Sequence, residues 1–280
     1  MAMSKTVRRR RPPASLIAAA VDLVIFTVRD GRLQVLLIER GNTPYRGHAA
    51  LPGGFVRDGE TLDAAARREL REETGVVGDN LHLEQLRAYG ELDRDPRGRV
   101  ITIAYLALGP DLPTPEAGTD ASAAHWTPVS TILHGRVALA FDHEEILRDG
   151  LERARSHLEH TTIATAFCRE PFTIADLRQI YEAVWDVALD PSNFRRKVMK
   201  TEGFVVPIGE RRLPDVGRPA ALFRRGLAET LTPPLTRSST ASASGRGRRA
   251  RKAVKFHATE IDEENFQSYV HDRPVRSRGR

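Results

Sequence analysis

The stretch Leu51–Val76, LPGGFVRDGETLDAAARRELREETGV, holds the densest chemical pattern in the chain and governs how the rest is read. Gly53 and Gly54 give a sterically open backbone just ahead of a helix. Thr61 can cap that helix, Leu62–Thr74 has helix-forming composition with three alanines, and Gly75 supplies the stop. Within it Glu69, Glu72 and Glu73 stand at i, i+3 and i+4, so three carboxylates converge on one face. Crowded acids repel one another. A hard divalent cation, Mg²⁺ or Mn²⁺, resolves the conflict and recruits a diphosphate as its remaining ligands. Such an ion orients water, polarises phosphorus and neutralises a leaving phosphate. Glu60 and Arg68, eight positions apart, can pair across the loop-to-helix junction, with Arg68 also reaching a helix glutamate. On the opposite face Ala65, Ala66 and Leu70 are expected to pack inward.

Outward from this segment, Ala18–Val28 and Leu33–Glu39 read as strands joined by a turn containing Asp30-Gly31, a strong hairpin signal. Leu83–Leu92 and Val100–Leu108 read as a second strand pair, Ala124–Val129 as a short strand and Glu144–Leu158 as a helix. The mixture predicts an α+β or α/β/α domain over residues 14–160. Asp22 interrupts the apolar stretch Leu16–Phe26, which therefore reads as a strand and not as a signal peptide. No apolar run reaches the length of a membrane span. The single cysteine, Cys168, excludes an intrachain disulfide and points to a reducing, cytoplasmic setting.

Beyond residue 160 the pattern changes. Thr173–Leu189 and Ser192–Thr201 read as two helices joined by Asp190-Pro191, followed by the short apolar pieces Phe204–Val206 and Ala221–Arg224. Helix, turn, helix, hairpin is the order of a winged helix-turn-helix, assigned to residues 161–235. In DPSNFRRKVMKTEGFV, Ser192 reads as the cap, and Phe194 and Val198 as core anchors. Asn193, Arg195, Arg196, Lys197 and Lys200 then face outward. A recognition helix needs this division, one side packed and the other meeting phosphates and base edges. Arg218 falls near the tip of the wing. Charge is segregated as well. The net +6 includes five basic residues and no acid in residues 1–13, and eleven basic against five acidic residues in 236–280. Both tails, expected to be disordered, suit a polyanionic partner.

The pattern Gly54-x5-Glu60-x7-Arg68-Glu69-Leu70-x-Glu72-Glu73-x-Gly75-Val76 resembles the Nudix box at every specified position. The resemblance implies a Nudix α/β/α sandwich that binds a nucleoside diphosphate linked to another group. Glu69, Glu72, Glu73 and the Gly54 carbonyl would be the metal ligands, and Glu60 and Arg68 would support the catalytic face. Gly53, Gly54, Arg40 and Glu116 are the candidate ligand contacts, with Glu116 or Glu73 a candidate general base. Taken with Phe-Thr-x-x-x-Leu, Ser-Asn-Phe-Arg-Arg-Lys and Gly-Arg-Pro-Ala, the order of parts is similar to the NrtR family of Nudix-related regulators of NAD metabolism. The stretch Arg94–Leu108, RDPRGRVITIAYLAL, carries the same likeness. That resemblance implies a homodimeric repressor that senses ADP-ribose or a related NAD-derived nucleotide and releases operator DNA. Many such regulators have an eroded box, whereas Glu72 and Glu73 are both present here, so Mg²⁺-dependent hydrolysis of ADP-ribose stays open beside regulation.

Overall fold

The computed structural model describes residues 17–75, 81–110, 112, 121–213 and 218–237. The arm at residues 1–13, the tail beyond residue 237 and Glu116 lie outside the described residues. Strands β1 (Ala18–Arg29) and β2 (Arg32–Arg40) form the expected hairpin. Asp30 and Gly31 at its tip have φ of 50° and 67°, the paired left-handed conformation that a tight hairpin turn requires.

Five further strands complete a mixed sheet: β3 (Ala49–Ala50), β4 (Gly53–Phe55), β5 (His82–Tyr89), β6 (Val100–Leu108) and β7 (Ala121–Pro128). The path runs β3-β2-β1-β6-β5, with β4 on β1 and β7 on β2. β1 and β6 are parallel, from Ala18 opposite Val100 to Phe26 opposite Leu108. Alternation along β1 sends its apolar side chains to both faces. Val21, Leu23 and Ile25 meet the helix α1 (Leu62–Thr74). Val24 and Phe26 join the core on the other face, beneath α3 (His143–His160), which follows the short α2 (Val129–Leu133). The front of the chain is thus an α/β/α sandwich, as the sequence predicts. β5 ends at Tyr89, three residues before the expected limit.

The rear is a winged helix. A 3-10 helix (Thr162–Phe167) leads to α4 (Ile174–Trp185), α5 (Pro191–Lys200), β8 (Val205–Arg212) and β9 (Ala220–Arg225). Thr173 and Asp176 close a capping box at the start of α4. The first helix stops at Trp185, not Leu189. Asp186 turns left-handed with φ 56°, and the Glu182 carboxylate accepts the Leu189 N–H at 2.8 Å, tying the turn to the helix. Ser192 is not the cap of the second helix. Asp190 takes that role, accepting the Asn193 N–H at 2.7 Å, and Pro191 occupies the first helical position, where a missing N–H costs nothing.

Phe194 and Val198 anchor α5 as expected, and their core is continuous with the α3 side of the sheet through Phe167, Leu177, Tyr181 and Trp185. Polar contacts close the same seam. Arg155 Nε donates to Val184 O at 3.0 Å, and Trp185 Nε1 donates to Arg155 O at 3.3 Å. Among the described residues no helix is long and apolar enough to cross a membrane.

α3 lies close on β1 because Gly150 has no side chain: a Cβ there would stand 2.9 Å from Val24 Cγ1. Gly150→Leu should therefore destabilise the chain by about 1–3 kcal/mol through overpacking. The urea midpoint of unfolding measures this, and an unchanged midpoint would mean that the helix–sheet seam has room to spare.

Candidate functional site

The carboxylate helix is fixed at both ends and along one side. Thr61 accepts the Ala64 N–H at 3.2 Å, and Gly75 takes φ 66° while donating to Arg71 O. Tyr105 Oη on β6 donates to Asp63 at 2.6 Å. Ala65, Ala66 and Leu70 are buried against the sheet, which turns Glu69 toward β4. The approach is close enough to dictate sequence. A Cβ on Gly54 would fall 2.1 Å from Glu69 Oε1, and one on Gly53 2.3 Å from Val21 O.

Arg68 organises the acids. Its Nε and Nη2 donate to the two Glu60 oxygens at 2.8 and 3.0 Å. Its Nη1 donates to Glu69 at 2.5 Å and to Glu72 at 3.3 Å. A bidentate pair of this kind fixes both partners in one geometry. The Arg68 hydrogen bonds, chiefly, hold the Glu60 carboxyl at about 2. Burial pushes Glu69 above the ordinary carboxylate range against the pull of Arg68.

Glu69, Glu72 and Glu73 line a cleft of about 760 Å³ together with Gly53, Gly54, Arg40 and Arg68. Glu60 stands behind Arg68 instead of lining the cleft. Three carboxylates on one side of the cleft form an all-oxygen donor set, and that chemistry fits a hard divalent cation.

The cleft is also lined by residues that, Arg40 apart, the sequence does not single out as ligand contacts. Arg94 is buried, with Nε and Nη2 donating to Asp142 at 2.8 and 2.7 Å and Nη2 lying 3.4 Å from Asp22. Burial works against the Arg94 charge, but Asp142 and Asp22 outweigh it and raise its pKa. His143 Nδ1 accepts the Leu51 N–H at 2.9 Å, which leaves its proton on Nε2, 3.7 Å from Asp22. Burial lowers the His143 pKa, keeping the ring neutral. Arg97 is held by Asp95 and stands over the Phe55 ring at 5.0 Å, while Arg40 stands over Phe141 at 4.6 Å. The cleft thus opposes a carboxylate wall with guanidinium and aromatic surfaces, a combination suited to an anionic nucleotide.

On the winged helix, Ser192, Arg195, Arg196 and Lys200 are exposed on α5, and Asn193 and Lys197 are half-buried. Arg196 Nη2 donates to Asn193 Oδ1 at 2.7 Å. Arg218 is exposed at the wing. Arg212, by contrast, fastens the wing to α4, donating to Asp176 at 2.8 Å and to Pro171 O at 3.2 Å.

Two family models match the chain, a NUDIX domain over residues 17–150 and the NrtR DNA-binding winged helix domain over residues 165–225. The ADPR responsive transcriptional repressor NtrR of Acinetobacter baylyi is 34% identical over 211 residues, spanning 75% of this chain and 82% of the relative. An ADP-ribose pyrophosphatase of Methanocaldococcus jannaschii is 42% identical over 134 residues, covering 47% of this chain and 72% of its own length. Among solved structures, Shewanella oneidensis NrtR complexed with a 27mer DNA superposes with a TM-score of 0.63 at 30% identity, across 75% of this chain and 98% of that one. The carboxylate cleft and the winged helix behind it occur in the order of those regulators, and the chain belongs to the NrtR family.

Proposed function

We propose that the chain is a transcriptional repressor whose cleft binds ADP-ribose or a related NAD-derived nucleotide, and whose winged helix releases operator DNA when that ligand is bound. Genes of NAD synthesis or salvage are the targets this reading implies. The observation that carries it is the reach of α3. Asp142 and His143, at its start, belong to the cleft network, and Arg155, further along, is bonded to α4. One helix of 18 residues, about 27 Å long, therefore joins the two functional surfaces. The Acinetobacter baylyi relative, ADPR responsive by name, supports the choice of ligand.

In the cleft, Glu69, Glu72, Glu73 and the Gly54 carbonyl would hold Mg²⁺ or Mn²⁺, with Arg68 and Glu60 fixing the carboxylates. The ion would supply charge neutralisation for the diphosphate. Arg40 and Arg97 face the same space and would take up the remaining negative charge. On DNA, the exposed face of α5, with Ser192, Arg195, Arg196 and Lys200, would enter the major groove while Asn193 and Lys197 border it. Arg218 would touch the backbone from the wing. Reading a near-palindrome calls for a homodimer with two such helices about 34 Å apart. Residues 14–160 then serve as the sensor and residues 161–235 as the DNA reader, with the basic arm and tail adding nonspecific attraction.

A second reading, hydrolysis of ADP-ribose to AMP and ribose 5-phosphate, is favoured by one observation: the three box glutamates and the Arg68–Glu60 support are all in place. Glu73 or Glu116 would serve as the base. Slow turnover would let the repressor clear its own inducer.

Binding of the chain's own upstream DNA, followed by fluorescence anisotropy at fixed salt, tests the regulator. ADP-ribose should weaken it by about tenfold or more, a coupling of roughly 1.4 kcal/mol. Arg195→Ala with Arg196→Ala should abolish specific binding yet leave ADP-ribose affinity unchanged; DNA affinity that ignores both ligand and variant would refute the reading. Hydrolysis is measured as AMP release with Mg²⁺. The parent should exceed Glu73→Gln by at least about tenfold, and equal background rates in both would remove the enzyme.

A further inference from the structure

Away from the cleft, on the outer strand β5 and the last turns of α3, three donor side chains converge. A ring nitrogen from each of His82 and His157 and a carboxylate oxygen of Glu84 all lie within 4.8 Å of one another. His157 Nε2 is 2.7 Å from Glu84 Oε1, and His82 Nε2 is 3.7 Å from Glu84 Oε2. The second distance is too long for a hydrogen bond. His82 Nε2 is buried there with no hydrogen-bond partner, an arrangement that a hydrogen-bonded His157–Glu84 pair does not explain. His82 and Glu84, two apart on one strand, point to the same face, and α3 lies over that face with His157.

Arg153 Nη1 stands 3.8 Å from Glu84 Oε1 on a partly exposed side chain.

We propose that His82, Glu84 and His157 form a second metal site, one that takes a borderline divalent transition ion such as Zn²⁺, Co²⁺ or Ni²⁺ in preference to Mg²⁺. Two imidazoles and one carboxylate are the donors such ions favour, whereas Mg²⁺ selects oxygen. At metal–ligand distances of about 2.0–2.2 Å, tetrahedral ligand atoms stand roughly 3.4 Å apart. The two histidine contacts, which run to different Glu84 oxygens, fall on either side of that value, and an ion would draw the three donors together. Three protein ligands leave the remaining positions to water. An ion here would bind α3 to β5 just before residues Glu159 and His160, whose carbonyls accept the N–H groups of Leu235 and Leu231 behind the wing. The site therefore clamps the end of α3 that meets the winged helix.

The test uses the full chain with excess Mg²⁺ present, so that the box glutamates are occupied. Titration with Co²⁺ should produce a visible absorption band that saturates at one ion per chain. The melting temperature should rise by about 5 °C or more at Co²⁺ roughly a hundredfold above its Kd. His82→Gln and His157→Gln should each abolish the band and the shift, and Glu72→Gln with Glu73→Gln should retain both. Absence of the band and shift in the parent overturns the proposal, which needs no variant to fold. Their survival in both histidine variants, or their loss with the box glutamates alone, overturns it equally.

Discussion

Arg94 carries its charge into the interior between β1 and the head of α3, where Asp142 meets it through two hydrogen bonds and Asp22 through a third contact. A buried guanidinium is costly unless it is paired, and removing one partner leaves the other charge stranded. The loop before β6, the first strand of the sheet and the start of α3 are therefore held as one body around the cleft. His143, next along the helix, completes the arrangement by accepting the Leu51 N–H just ahead of Gly53-Gly54. The position of the ligand cleft and the direction of α3 thus depend on the same few polar contacts.

From that head, α3 crosses the sheet on Gly150 and ends in the winged helix. An uninterrupted apolar core, from Val24 and Phe26 through Leu151 and Leu158 to Tyr181 and Phe194, leaves no soft layer between the two parts. Close-packed interiors transmit displacement instead of absorbing it. A ligand that drew on Arg40 or Arg97 would disturb Phe141, next to Asp142, and α3 would carry the response to α4. Coupling of a few kcal/mol needs nothing more than a different affinity of the ligand for the two placements of the winged helix.

Much of this was legible in the sequence where local rules decide. The cap at Thr61, the stop at Gly75 and the i, i+3, i+4 spacing of the glutamates fixed α1 and its carboxylate face, and the spacing of Glu60 and Arg68 foretold their pairing. Asp30-Gly31 announced the hairpin. What stayed hidden depends on distant partners. Asp22, Arg94 and Asp142 come from three separate elements, and no periodicity links them. In the sequence Asp22 reads only as a break in an apolar run, although a lone acid in a buried strand is itself a sign of a buried partner. The parallel pairing of β1 with β6 was equally beyond local reading. Asp190-Pro191 looks like a turn with Ser192 as cap, yet an acid followed by Pro at the first helical position is the start signal that the structure follows. The early end of α4 could not be foreseen, because Asp186 adopts a left-handed conformation that glycine usually marks.

On the proposed function, nucleotide in the cleft and DNA on α5 oppose each other through one body. Thermodynamic reciprocity gives the most direct check: ADP-ribose affinity measured by calorimetry with and without saturating operator DNA, at one salt concentration. Operator should weaken ADP-ribose binding by the same factor by which ADP-ribose weakens operator binding. Equal ADP-ribose affinity in the presence and absence of operator would contradict it.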